Sequence, residues 1–162
     1  MKKLKAIGVL AITSILLTGM MMLGAIVLSS FATRPFNDGL VVIINNENPV
    51  SALSADEVRV YFLRKAKNRW PEIDKNIRPV TRKSECFERD VFYSLIIEMS
   101  EKEIQKYFAD TQFPDEEKTL EELNSDGEII KFVEKEIGGI GFISSKSLTP
   151  AIRSRVKVVL EL

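Results

Sequence analysis

Leu40-Val41-Val42-Ile43-Ile44, followed by Asn45-Asn46-Glu47-Asn48-Pro49, is the stretch on which the fold turns. Five apolar, mostly β-branched residues with no polar alternation read as a strand covered on both faces, as in a parallel sheet under helices. The turn formers after it stop the strand. Downstream, Ser54-Ala55-Asp56-Glu57 is a capping box, with Ser and Glu three apart ahead of Val58, Tyr61 and Phe62. That pattern predicts a helix ending near Arg64, and Trp70-Pro71 breaks the chain. Ile77 to Thr81 reads as a second short strand, with Pro79 placing it at an edge or a strand end.

Ser84 is expected to cap a long helix with Phe87, Val91, Leu95 and Met99 at every fourth position. Phe92 and Ile96 widen that stripe, and the whole stripe is expected in the core. Ser100-Glu101-Lys102-Glu103 is a second capping box, opening a helix with Ile104, Tyr107 and Phe108. Asp110 to Asn124, rich in acids and holding Pro114, reads as a surface loop. Ser125-Asp126-Gly127-Glu128 is a third box, followed by Ile129, Ile130, Phe132, Val133 and Ile137, with Gly138 as a left-handed C-cap. Ile140 to Ile143 and Val156 to Leu160 complete the strands. The predicted order is β-α-β-α-α-loop-α-β-β without repeats, a three-layer α/β domain.

The amino-terminal end is of another kind. Lys2, Lys3 and Lys5 precede an uncharged run from Ala6 to Phe31, 26 residues long, and Asp38 is the first acid. A basic start before an apolar stretch is the pattern of an export signal. Ser30-Phe31-Ala32 supplies small residues for cleavage after Ala32. The run also meets the roughly 20 residues needed to cross a bilayer, so a cleaved signal and a retained anchor both fit. Either way the lysines keep the amino end in the cytosol. Residues 1–32 are therefore a signal peptide or membrane anchor, and 33–162 an extracytoplasmic or periplasmic domain. The membrane is met only through residues 6–31, and only if the leader is retained.

Composition narrows the chemistry. The 162 residues hold 23 Lys and Arg, 23 Asp and Glu, no His and one Cys. Cys86 alone cannot form an intramolecular disulfide or a Cys/His zinc site, and nucleophile pairs that use His are impossible. Burial is the common fate of a single Cys. The acid clusters Asp115-Glu116-Glu117 and Glu72/Asp74 sit in polar or turn segments with no apolar pocket to shift them. Gly138-Gly139-Ile140-Gly141 follows a helix and lacks the Lys-Ser/Thr of a phosphate loop. The reading is not an enzyme, with no cofactor and no metal.

Taken in order, several segments resemble the substrate-binding proteins of phosphate ABC transporters, in a short form related to one lobe of the type II periplasmic-binding fold. They are Val42-Ile43-Ile44-Asn45 with Asn48-Pro49, Leu53-Ser54 with Glu57-Val58, and Tyr61-Phe62-Leu63 with Lys65 and Trp70-Pro71. Pro79-Val80, Arg89, Phe92, Met99-Ser100, Phe113, Ser125 and Phe132-Val133 continue the series, and Gly139-Ile140-Gly141-Phe142-Ile143 closes it. The resemblance covers about Leu40 to Phe142. It implies a three-layer α/β lobe, export, and binding of a small oxyanion such as phosphate. Three features depart from it. The family's Ser-Gly-Thr turn after the second strand is replaced by Lys83-Ser84-Glu85-Cys86-Phe87-Glu88, with two acids that repel phosphate. The chain also has room for about one lobe, where the full proteins close two. The glycine usual after the first helix is replaced by Arg64 or a neighbour.

The residues themselves offer an anion site. Arg82, Lys83 and Ser84 stand before a helix, with Arg89 about one turn inside, and arginine grips phosphate with two parallel hydrogen bonds. Asn45 and Asn46 end the first strand, where α/β folds place ligands. The alternative is that Ser84 merely caps, with Arg82 and Lys83 solvated or paired to Glu85 and Glu88. Arg64 to Arg89 holds nine basic and four acidic residues, and Asp90 to Glu136 five basic and fourteen acidic. Such halves steer an anion or dock a partner. Export and a net negative domain argue against nucleic acid, despite Lys65, Lys67 and Arg69 beside Trp70. Two readings stand: a solute-binding-like module for phosphate or a similar oxyanion, and an envelope interaction module that kept the lobe without the ligand.

Overall fold

Every residue of the opening strand is buried in the computed structural model, which describes residues 39–65, 69–83, 86–111 and 120–162. That strand, β1 (Leu40–Asn45), pairs with β4 (Gly139–Ser144) on one side and β5 (Val156–Glu161) on the other. Both pairings are antiparallel, which corrects the expected parallel setting. β2 (Arg78–Arg82) is parallel to β4 and to β3 (Glu121–Leu123), so β1 runs against that set in a sheet of order β3-β2-β4-β1-β5. An unbroken apolar run reports that both faces are covered; it carries no information on strand direction. Pro79 pairs only toward β4, because β3 joins β2 from Val80 onward, so the missing N–H falls at a strand end.

Helices cover both faces, and the residues of β1 divide between them. Val41 and Ile43, with Val80 and Ile143, pack against Ile129, Ile130 and Val133 of α4 (Asp126–Lys135). The opposite face carries an aromatic core. Phe142 lies flat on Phe92 with centroids 4.0 Å apart and planes 8° apart, and Phe62 tilts against Phe92 at 4.7 Å. Phe62 ends α1 (Ala55–Phe62), and Phe92 ends α2 (Phe87–Phe92), which runs on into a π-helical turn, Tyr93–Ile97. Truncating one of these buried rings to Ala would cost about 3–5 kcal/mol. The result is a three-layer α/β fold in which Asn37–Leu162 form one compact unit. The leader lies outside the described residues, and among those described no helix is long and apolar enough to cross a membrane.

The capping boxes place the helix starts. Ser54 caps α1 and Ser100 caps α3 (Glu101–Asp110), each with the reciprocal Glu57 or Glu103 bond. Ser125 accepts from the Glu128 N–H, but the Glu128 carboxylate reaches back one residue further, to the Asn124 N–H at 2.8 Å. Arg64 takes φ 52°, the left-handed conformation that a glycine would adopt freely.

Other expectations are corrected. α2 begins at Phe87 with Cys86 in the cap position and no side-chain cap bond, later than expected; Ser84 lies outside the described residues. Phe87 and Leu95 are 55% and 52% exposed, while Phe92, Tyr93, Ile96 and Ile97 are buried. Steps of four residues drift about 40° around a 3.6-residue helix, and the π turn adds a residue, so Phe87 and Leu95 rotate out of the core while Phe92 and Ile96 of the same expected stripe lie in it. Glu98 closes that turn at φ 56°, its N–H donating to the Tyr93 carbonyl at 2.7 Å. Gly138 has no positive φ. It is small because an added Cβ would stand 1.9 Å from the Asn76 carbonyl oxygen. The expected polar loop contains β3, whose Glu-Glu-Leu sequence has no strand signal and is held by pairing to β2. A short helix α5 (Pro150–Arg153), capped by Thr149, precedes β5 and was not foreseen.

Candidate functional site

β2 and β4 end side by side, where Arg82 and Ser144 meet the start of α4. Leu40 faces Ser144 across β1 and β4, and the Leu162 N–H donates to the Leu40 carbonyl at 2.8 Å. The first and last residues of the sheet therefore lie at this same edge.

Arg82 does not stand open at this edge. Its Nη1 donates to Oδ1 of Asp126, the first residue of α4. The other carboxylate oxygen of Asp126 accepts from the Ser147 hydroxyl at 2.6 Å and from the Ser144 N–H at 3.1 Å. The Arg82 and Asp126 side chains are 16% and 13% exposed. Three donors of three kinds thus converge on one internal carboxylate, and the helix dipole at the N-terminus of α4 favours the same charge.

Arg89, the third residue of α2, is 4% exposed. Nη1 donates to the Arg82 carbonyl at 2.7 Å and to Glu122 of β3 at 2.9 Å, and Nη2 to Glu101 of α3 at 2.8 Å. The guanidinium also lies over the Tyr93 ring at 5.0 Å. Burial pulls its pKa down, but Tyr93, Glu122 and Glu101 outweigh that and the net shift is upward. Burial pushes the Tyr93 phenol up, against a hydrogen bond with Thr81 and the nearby Arg89. Burial also raises the half-buried Cys86 thiol, so the lone cysteine is a weak nucleophile.

The sequence candidates therefore divide. Arg82 and Arg89 come together, joined through the Arg82 carbonyl. Lys83 is exposed beside them, its N–H donating to the Leu123 carbonyl. Ser84 lies outside the described residues. Asn45 and Asn46 sit at the opposite edge of the sheet, because β1 runs against β2 and β4. There Asn45 donates to the Val133 and Glu134 carbonyls at 2.8 and 2.9 Å and accepts from the Glu47 N–H, closing the last turn of α4. Asn46 is exposed in the turn. Sequence reasoning missed Asp126, Ser144, Ser147, Glu101 and Glu122. Asp126 was visible only as a member of a capping box, and no local pattern ties it to an arginine 44 residues away.

A separate cleft of about 700 Å³ opens between α3 and the β2–β3 edge. Thr81, Tyr93, Ile104, Phe108 and Glu122 line part of it, but neither Arg82 nor Asn45 does.

No protein-family profile matches the sequence, and no curated protein matches it. Solved structures do match. An ABC-type phosphate transport receptor from Vibrio cholerae aligns at TM-score 0.57 and 25% identity, over 75% of this chain and 45% of that one. PstS from Borrelia burgdorferi aligns at TM-score 0.58 and 18% identity, over 75% and 46%. This chain has the fold of the phosphate-transport substrate-binding proteins. A Clostridium perfringens protein classed with them, solved with phosphate bound, aligns at TM-score 0.54 and 25% identity, over 75% and 44%. The chain spans less than half the length of each of these proteins. On this phosphate-receptor fold, the strand-end arginine is committed to a carboxylate of the same chain. An external anion would have to displace that carboxylate.

Proposed function

We propose that this chain is an exported, non-catalytic module that keeps one lobe of the phosphate-receptor fold and works by contact with an envelope protein rather than by capturing phosphate. The observation that carries this reading is the internal pairing of both arginines. Arg82 is bonded to Asp126, and Arg89 to Glu101 and Glu122. Phosphate at either one would have to break a charge-assisted bond already formed in a half-buried setting, and would bring its own charge close to a carboxylate. The basic 64–89 segment and the acidic 90–136 segment supply charge for docking a protein partner. Export rests on Lys2, Lys3, Lys5 and the apolar 6–31 run, which delivers the domain either free or tethered.

The second reading, capture of phosphate or a similar oxyanion, is favoured by the phosphate-bound Clostridium perfringens protein of the same fold. Equilibrium dialysis of the full chain against labelled phosphate separates the two. The first reading expects no saturable binding up to millimolar phosphate. Micromolar binding that disappears in Arg82→Ala would replace it with the second. The mass of the protein recovered from its host decides between cleavage after Ala32 and a retained anchor.

A further inference from the structure

The Asp126 carboxylate is held as a bound anion is held. A guanidinium, a hydroxyl and a backbone N–H all point at it, on Arg82, Ser147 and Ser144. These donors come from the end of β2, the end of β4 and the short 3-10 turn Ser145–Ser147 that follows it. They belong to three separate chain positions, and the carboxylate they surround comes from a fourth.

We propose that this cluster is an oxyanion site already occupied by the chain's own carboxylate, and that Asp126 is the residue that sets its specificity. With Asp126 in place, its carboxylate engages all three donors and its charge repels external anions. With the carboxylate removed, the same guanidinium, hydroxyl and N–H take a free small oxyanion of the carboxylate or phosphate kind. The charge argument is simple. Arg82 is largely buried, so losing Asp126 leaves a cation whose remaining solvation is poor, and an anion that enters restores both its charge balance and its hydrogen bonds. This inference rests on the reading of Arg82 as internally satisfied.

The test is made on the full chain, with Asp126→Ala and Asp126→Ser. Thermal melts are followed in formate, acetate, phosphate and chloride at constant ionic strength. Wild type is expected to show no anion-specific shift. The two variants are expected to melt lower in chloride and to recover saturably with formate, acetate or phosphate at millimolar concentration. Arg82→Met added to Asp126→Ala is expected to abolish the recovery. Should both variants be unfolded in chloride, recovery of helical circular dichroism on adding the oxyanion supports the site, and no recovery overturns it. Folded variants that ignore the oxyanions, or a shift equal in wild type and variants, also overturn it. Formate against phosphate tells a carboxylate-sized site from a larger one. The two ideas fail separately: saturable phosphate binding by wild type sinks the proposed function, whereas unresponsive variants with an inert wild type sink only the assignment of Asp126.

Discussion

Asn45, the last residue of β1, donates its side-chain amide to the Val133 carbonyl at 2.8 Å, tying the end of a buried strand to the last turn of α4. The Glu134 carbonyl accepts from the same amide at 2.9 Å, and the Asn45 Oδ1 accepts from the Glu47 N–H. All this takes place at the edge of the sheet away from Arg82. Asn45→Ala should therefore lower stability and leave any anion response untouched. The loss should be about 1–3 kcal/mol, the cost of stranding buried polar groups. Asn45→Asp should cost more, since a carboxylate would face two carbonyl oxygens. Urea unfolding measures both. An anion-binding change in a variant of unchanged stability would overturn this assignment.

Arg89 offers a different kind of test, because two carboxylates share one guanidinium. Glu101 and Glu122 each neutralise it, and each is about two-fifths exposed. Either one alone suffices to keep the buried cation paired. Glu101→Gln and Glu122→Gln should each cost no more than about 1 kcal/mol, given that exposure. The double variant should cost more than their sum, because only then is the charge buried without a counter-ion. A thermodynamic cycle by chemical denaturation checks this. Strict additivity would mean that some other group balances Arg89.

What could be read in the sequence, and what could not, follows the range of the forces involved. Capping boxes at Ser54 and Ser100 are local signals, and both helices begin where those residues place them. The buried run at Leu40–Ile44 was legible because burial on two faces removes polar alternation. Its direction was not, since direction depends on which strands lie beside it. That one feature carried Asn45 and Asn46 to the far edge of the sheet, away from Arg82. β3 escaped notice because Glu121 and Glu122 are acids on an edge strand that exists only by pairing with β2. The carboxylates that occupy Arg82 and Arg89 escaped for the same reason: each arrives from a distant segment, and only the sheet brings them together.

The capping boxes also set an acid limit. The Glu57 carboxyl is held below its ordinary 4.5 by the Ser54 N–H and then the Ser54 hydroxyl. Glu103 is lowered by the Ser100 hydroxyl and N–H, and Glu128 by the Asn124 N–H and side-chain amide. A carboxyl whose folded pKa is depressed binds its proton less readily in the folded state. Its stabilising effect is thus complete above the unfolded value and is lost as pH falls through the folded one. Urea midpoints should stay level above about pH 5.5 and decline between about pH 5 and 3. Replacing Glu57 and Glu103 by Gln, which retains a capping acceptor without titrating, should flatten that decline. An equally steep decline in the double variant would assign the acid sensitivity to other carboxylates.

Gly138 and Gly141 are both closely packed, yet the two positions should respond differently to a methyl group. At Gly141 the added Cβ would lie 2.6 Å from Ile129 Cγ2 and 3.1 Å from Val80 Cγ2, branch methyls of stiff, buried side chains, so packed side chains and not main chain must give way. Gly141→Ala should cost about 1–3 kcal/mol, as overpacking does. At Gly138 the obstacle is the Asn76 carbonyl, 1.9 Å away, so main chain must move. That movement would disturb the Gly138 carbonyl, which accepts from the Arg78 N–H at 2.9 Å and from the Trp70 indole at 3.1 Å. Gly138→Ala should therefore be the more damaging change. Trp70 is the single tryptophan of the chain and is buried, so its fluorescence reports on this junction directly. Gly138→Ala should shift its emission to the red under native conditions, and Gly141→Ala should not. Equal melting temperatures and unshifted emission in both variants would mean that the 75–78 segment yields at no cost, and that the Trp70 contact does not depend on a bare Cα at position 138.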